Sequence, residues 1–258
     1  MGVSSGARLL EGKVVAITGA GSGIGRATAH QAAAEGARAL VLTDRDGDGL
    51  ETTVAALGLD RSAVACVVGS ITEPAAGDQL VEAAVSRFGR LDAAVNNAGV
   101  RGELSQLHDL TDEQFDEVID INLRAVFRCM RAQLRQMYEQ GAGSIVNIGS
   151  ASVMGVSPQL APYVASKMGV IGLMKVASKE AGQHGVRVNV VCPGRTDTPL
   201  LNVHHGSGFT SADDAVKPIP LGRFGQPSEL ADAIVFLCSD RSSFVNGANL
   251  IVDGGRTG

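Results

Sequence analysis

The chain contains no tryptophan and two tyrosines, and aromatic residues make up only 3% of its 258 positions. A core without large rings must be filled by Ala, Val, Leu and Ile, which suits helices packed closely on a buried parallel sheet. Cysteine is also scarce. Cys66, Cys129, Cys192 and Cys238 lie far apart, with no Cys-x-x-Cys and no histidine at metal-ligand spacing. That argues against a structural zinc and a disulfide framework, so no metal is expected and a reducing compartment is. The first ten residues lack the apolar stretch of a signal peptide, and no run is long enough for a membrane span. A cytoplasmic protein with no membrane partner is the expectation. Basic clusters are missing too, with 22 Lys and Arg against 27 Asp and Glu and a formal charge of −5. Arg124, Arg128, Arg131 and Arg135 recur at helical spacing and read as a solvated face or subunit contact, not a nucleic-acid surface.

What is present is alternation. Short β-branched runs at 14–18, 39–44, 64–68, 93–96, 144–148, 187–192 and 249–253 are separated by helix-like stretches. The stretches lie near 23–35, 47–57, 74–88, 112–140, 162–183 and 227–238, several opened by a cap or proline, as at Thr111-Asp-Glu-Gln and Gln226-Pro-Ser-Glu. Seven strands alternating with helices, with no low-complexity linker, predict an α/β fold in a single domain spanning 1–258. Its core is a doubly wound parallel seven-stranded sheet with helices on both faces. Residues 1–9 read as a flexible tail. The 196–218 stretch reads as an irregular loop over the substrate site. Ligands of such sheets bind beyond the carboxyl ends of the strands, so functional residues should follow strands directly.

The first strand runs straight into Thr18-Gly-Ala-Gly-Ser-Gly-Ile-Gly25, and a helix follows. Glycines there let the backbone turn tightly and approach a pyrophosphate, which sits on the helix N-terminus. That is the Rossmann arrangement. Asp44 ends the second strand, about 20 residues beyond the glycines, where an acid meets the adenosine ribose hydroxyls and repels a 2′-phosphate. NAD is therefore expected over NADP, although Arg45 follows directly and has the charge to neutralise a phosphate.

Tyr163-Val-Ala-Ser-Lys167 opens the fifth predicted helix, and an i,i+4 pair shares one helical face. A phenol that titrates near 10 needs a nearby positive charge to exchange a proton at neutral pH, and Lys167, together with the positive nicotinamide of an oxidised cofactor, would supply that field.

Together these motifs resemble the short-chain dehydrogenase/reductase family, in its branch with subunits of about 250 residues. The resemblance runs from about Leu10 to Gly255. It rests on Gly19, Gly23 and Gly25, on Asn96-Asn-Ala-Gly99 and Asn122, on Ser150 thirteen residues before Tyr163, on Lys167, on Pro193-Gly194 with Thr198, and on Val252-Asp-Gly-Gly255. It implies that Tyr163 is the general acid/base, that Ser150 hydrogen-bonds the reacting oxygen, that Lys167 also binds the nicotinamide ribose, and that Asn122 helps hold a proton-relaying water. It also implies a cofactor site made by Gly19, Ser22, Gly23, Ile24, Gly25, Asp44, Arg45, Ser70, Ile71, Asn97, Ala98, Gly99, Tyr163, Lys167, Pro193, Gly194, Thr196 and Thr198. Ser70 stands where the family often has an Asp for the adenine amine, and Thr196 where it prefers Val or Ile. A homotetramer, formed through the fourth and fifth helices and the C-terminal segment, is implied as well, with Val118, Val126, Val170 and Leu173 as apolar positions.

The expected activity is hydride transfer between a nicotinamide and a small-molecule secondary alcohol or ketone. An NADPH-dependent 3-oxoacyl (acyl carrier protein) reductase is the alternative, and a dinucleotide-sensing binding protein is the alternative outside enzymes. The substrate pocket is expected near Val100, Arg101, Ser152 to Met154, Gly194, Arg195 and the 196–218 loop, with Leu200, Leu201, Val203 and Phe209 apolar and His204 and His205 solvated.

Overall fold

The β-branched runs form seven strands: β1 Val14–Thr18, β2 Ala39–Asp44, β3 Val64–Val68, β4 Ala93–Asn96, β5 Gly143–Ile148, β6 Val186–Pro193 and β7 Asn249–Val252. The computed structural model describes residues 8–156, 158–202 and 212–258. All seven strands pair in parallel in the order β3-β2-β1-β4-β5-β6-β7. Every residue of β1 is buried, as an interior strand of a sheet covered on both faces requires. Two apolar clusters cover the faces, one containing Leu10, Ile17, Leu40 and Ile234, the other Val14, Val41, Met137 and Met174. The strand order reverses between β1 and β4, which opens a crevice above their carboxyl ends.

The helices are α1 Gly23–Ala34, α2 Gly47–Ala55, α3 Ala76–Phe88, α4 Asp112–Ile119, α5 Ala125–Gln140, α6 Ala161–Ala181, α7 Pro199–Asn202, α8 Ala212–Val216 and α9 Pro227–Cys238. One expectation needs correction here. The helix predicted over 112–140 is interrupted by a π-helical turn, Asp120–Arg124, which turns Asn122 into the interior, fully buried. The apolar period continues across the insertion, so the sequence does not show it. The 196–218 stretch is likewise not wholly irregular, because it carries α7 and α8. Val203, His204, His205 and Phe209 lie outside the described residues.

Three of the four apolar positions expected to face a second subunit are internal. Val118, Val126 and Val170 are buried in the chain's own core, and Leu173 packs against the same cluster. A helix against a sheet hides its most apolar stripe, and the sequence cannot say against what. The arginine stripe is a paired surface. Arg124 bonds Asp120, Arg128 donates to the Thr72 carbonyl at 2.7 Å, and Arg131 lies 5.4 Å from the Phe127 ring centre. The four cysteines are unbridged, and no metal-binding group of His, Cys, Asp and Glu occurs among the described residues. No described helix is long and apolar enough to cross a membrane.

Candidate active site

The glycine loop after β1 closes back on the sheet. Gly19 has φ +67°, and a side chain there would come within 2.8 Å of Asn97 Nδ2 and 2.9 Å of the Ala98 Cα. A β-carbon on Gly25 would fall onto the Gly19 carbonyl, so this glycine permits loop and helix to touch and does not itself line the cleft. Ser22 stands at the N-cap of α1 without a side-chain capping bond, and the first turn carries no acid to compete with a phosphate. Thr18 ties the loop to β4: its hydroxyl accepts from the Asn97 and Ala98 amides at 2.9 and 3.0 Å. Asp44 is braced as well, its carboxylate accepting from the Gly21 amide at 2.8 Å and from the Asp46 amide at 3.1 Å. Arg45 is exposed beside it. Ser70, also exposed, shares its hydroxyl with Thr72 at 2.8 Å.

These groups surround a cleft of about 260 Å³ whose walls include Gly19, Ser22, Gly23, Ile24, Asp44, Arg45, Ser70, Ile71, Asn97, Ala98, Gly99 and Thr198. A loop free of side-chain bulk, an unopposed helix N-terminus and a fixed acid together fit a dinucleotide.

Behind this cleft, Asn122 clamps the chain after β4. Its Oδ1 accepts from the Val100 amide and its Nδ2 donates to the Val100 carbonyl, both at 2.8 Å; Nδ2 also reaches Ser166 Oγ at 3.2 Å. Its side chain is therefore occupied by the protein. Lys167 is only 4% exposed, and its Nζ donates to the Ile148 carbonyl at 2.8 Å. A β-carbon on Gly99 would lie 3.1 Å from Asn122 Oδ1 and 3.5 Å from Lys167 Nζ, so both groups sit directly beneath the cleft floor.

A second cleft, of about 410 Å³, lies beside the first and shares Ile24, Thr198 and Leu200 with it. Ser150 and Tyr163 open into it. Ser150 lies two residues beyond β5 with extended backbone, its hydroxyl accepting from the Ser152 amide at 3.1 Å. Pro193, Gly194 and Thr196 belong to this cleft and not to the first.

Burial sets the charges of the chain's own groups. Burial pushes the Tyr163 phenol above its ordinary range; the facing Ser150 hydroxyl and the Arg101 guanidinium pull it down, and the Cys192 thiol opposes them. Lys167 sits 5.8 Å from the centre of the tyrosine ring. Burial pushes its own ammonium down to about 8, with Cys192 acting weakly against that. The lysine therefore does not lower the phenol on its own, because desolvation disfavours the charged form of both groups.

With this geometry in place, comparison with known proteins is decisive. A family model described as enoyl-(acyl carrier protein) reductase matches residues 19–257. The A-factor type gamma-butyrolactone 1′-reductase (1S-forming) of Streptomyces virginiae is 40% identical, over 96% of this chain and 97% of the relative. The chain belongs to the short-chain dehydrogenase/reductase family. A crystal structure of levodione reductase superposes with a TM-score of 0.91 at 36% identity, covering 96% of this chain and 98% of that one. The 3-ketoacyl-(acyl-carrier-protein) reductase of Brucella melitensis, solved with NADH, gives 0.88 at 36% identity, covering 96% and 99%. As a short-chain dehydrogenase/reductase, the chain is an oxidoreductase of the alcohol–carbonyl couple that uses a nicotinamide cofactor.

Within this short-chain dehydrogenase, three groups near the clefts escaped sequence reasoning. Thr18 belonged to a quoted motif, but its pinning role depends on β4 lying beside β1. Arg256 reaches the second cleft because Gly254 and Gly255, at φ +66° and +86°, turn the chain back after β7. Gln159 lines the same cleft at φ +67°, a left-handed conformation that no sequence signal announces in a glutamine.

Proposed function

We propose that the protein is an NAD-dependent secondary-alcohol dehydrogenase or ketone reductase in which Tyr163 is the general acid/base. The observation that carries this reading is the convergence of the Ser150 and Tyr163 hydroxyls on one cavity, with Lys167 buried behind the wall it shares with the first cleft. A bound nicotinamide would supply the hydride acceptor for the carbinol carbon, or the hydride donor for the carbonyl carbon. In oxidation Tyr163 takes the hydroxyl proton as the hydride leaves, and in reduction it gives that proton to the oxygen. Ser150 donates a hydrogen bond to the same oxygen and stabilises charge building there. Lys167, fixed by the Ile148 carbonyl, would hold the nicotinamide ribose and adds positive potential behind Tyr163. Asn122 positions Val100 and Ser166, and its main chain is what remains to hold a relaying water.

Asp44 supports NAD. Braced by Gly21, its carboxylate cannot swing away from a 2′-phosphate, whereas Arg45 stands exposed at the rim. The binding-only reading leaves the Ser150, Tyr163 and Lys167 convergence without a purpose. A 3-oxoacyl reductase would use the same chemistry and differ in cofactor and in what fills the second cleft. Titrating NAD and NADP by thermal shift, then screening secondary alcohols and ketones by the absorbance of the reduced cofactor, separates these readings. No turnover across a broad panel sinks the reading.

The same proposal extends to assembly and place. Phe115, Phe127, Met168 and Val176 remain exposed on α4, α5 and α6, and Ile251 on β7. Such faces suit a closed homotetramer, which light scattering at micromolar concentration tests. The unbridged cysteines suit the cytoplasm.

A further inference from the structure

The charged side chains that line the second cleft among the described residues are Arg101, Arg195 and Arg256, and none is acidic. In a chain with a formal charge of −5 this local excess of arginine runs against the composition. Arg195 donates to the Ala215 carbonyl, so its guanidinium is already engaged by the protein. Arg101 and Arg256 differ. Both are half-buried, and neither side chain has a hydrogen bond or ion pair among the described residues.

The three cations are close enough to repel. Arg195 is destabilised in its charged form first by burial and then by Arg256 and Arg101, and burial does the same to Arg101. Half-buried like charges are costly to bring together, and an anion entering the cleft beside Arg101 and Arg256 relieves both the repulsion and the desolvation. Gln159, strained at φ +67°, adds an amide to the same wall. The rest of the lining is largely apolar, with Leu104, Leu160 and Leu201 beside the catalytic hydroxyls.

We propose that the second cleft selects substrates bearing a carboxylate, with Arg101 and Arg256 holding it and the apolar wall taking the carbon body. Hydroxy acids and oxo acids are then the substrate class. Planar guanidiniums pair with a carboxylate through two parallel hydrogen bonds, which fixes orientation as well as charge. Arg101 lies near enough to Tyr163 for the two charges to interact, so a carboxylate on Arg101 brings the reacting carbon toward the phenol. Arg101 and Arg256 are thus positioning residues for the alcohol–ketone reaction. The inference rests on the reading above, that this cleft is the substrate site.

The test uses the full chain with NAD present. Isothermal titration compares cyclohexanecarboxylate with its methyl ester, and turnover, with NADH in place of NAD as the hydride donor, compares 3-oxocyclohexanecarboxylate with its methyl ester. We expect the acid to bind at least about tenfold tighter than the ester. Arg101→Gln and Arg256→Gln should each cut that preference by about tenfold, with the acid-to-ester ratio of kcat/KM following and NAD affinity staying within about threefold. An ester that binds as well as the acid, an unchanged ratio in both variants, or a loss confined to NAD affinity overturns the inference. Should the acid preference stand in titration while neither oxo compound turns over, the inference holds and the reading of the reaction is what fails. Two variants on different elements, each checked for an unchanged Tm, keep misfolding of one from deciding the result.

Discussion

The two clefts sit side by side on one sheet edge yet are built from different materials. The first is made of backbone: glycines, amides and a helix N-terminus, with Asp44 the main fixed charge, and its parts come from strand ends that follow one another in the chain. The second is made of side chains gathered from β5, α6, the turn after β6 and the turn after β7. A backbone cradle recognises what every member of a cofactor class shares. A side-chain cavity recognises one substrate. The consequence is that damage to the first should appear in cofactor binding, and damage to the second in turnover or substrate choice.

Tyr163→Phe is the sharpest way to break that division. The ring packing survives and only the hydroxyl is lost, so turnover should fall by a factor on the order of 10² to 10⁴. Cofactor affinity should stay within about threefold. Steady-state rates with NAD titration measure both, and a loss shared equally between them would erase the distinction. Gly19→Ala attacks the other side. With φ +67° and Asn97 Nδ2 2.8 Å from the new carbon, the loop must shift, at a cost of about 1–3 kcal/mol. We expect cofactor affinity to drop about tenfold or more and Tm to fall. Unaltered NAD binding would mean that the cradle tolerates movement.

Asp44→Asn sharpens the comparison without moving the loop, because the amide oxygen still accepts from Gly21. The ratio of NAD to NADP affinity should fall about tenfold, or roughly 1.4 kcal/mol. An unchanged ratio would give the selectivity to Arg45. Lys167→Met has the smallest expected effect on stability, and Lys167 lies behind both clefts, next to Gly99 of the first and Tyr163 of the second. Turnover and cofactor binding should both suffer, yet the variant should melt higher at pH 7. The sign follows from the depressed ammonium. Below about 8 the folded chain carries a buried charge that the unfolded chain solvates. Between about 8 and 10.5 the folded lysine is neutral while the unfolded one is still protonated, so wild-type stability rises with pH. Methionine has no such term, so its advantage should shrink across that window. Each kcal/mol moves Tm by about 2–4 °C for a chain of this size, well within calorimetry. A Tm difference that does not depend on pH would show that Lys167 carries no buried charge.

Strands and most helices were legible because their periodicity is local. Each strand appeared within a residue or so of its expected limits. The first cleft was legible for the same reason, since Gly19 follows β1 directly, Gly23 opens α1 and Asp44 ends β2. Asn122 was legible as a site but not in its setting, because a π turn adds one residue to a helical ladder without disturbing the apolar pattern. Val118, Val126 and Val170 show the same limit. Their apolar character is local, while the surface that buries it is not.

By itself, the sequence determined the alternation of strands and helices, the glycine cradle with its acid, and the Tyr163 and Lys167 pair on one helical face. Each follows from bond geometry and spacing over a few residues, which no distant segment can alter. Only the tertiary structure decided that burial raises the phenol and lowers the lysine, and that Arg101 and Arg256 meet across one cavity although 155 positions apart in the chain. Desolvation and charge proximity depend on what packs around a group, and packing is set by the whole sheet.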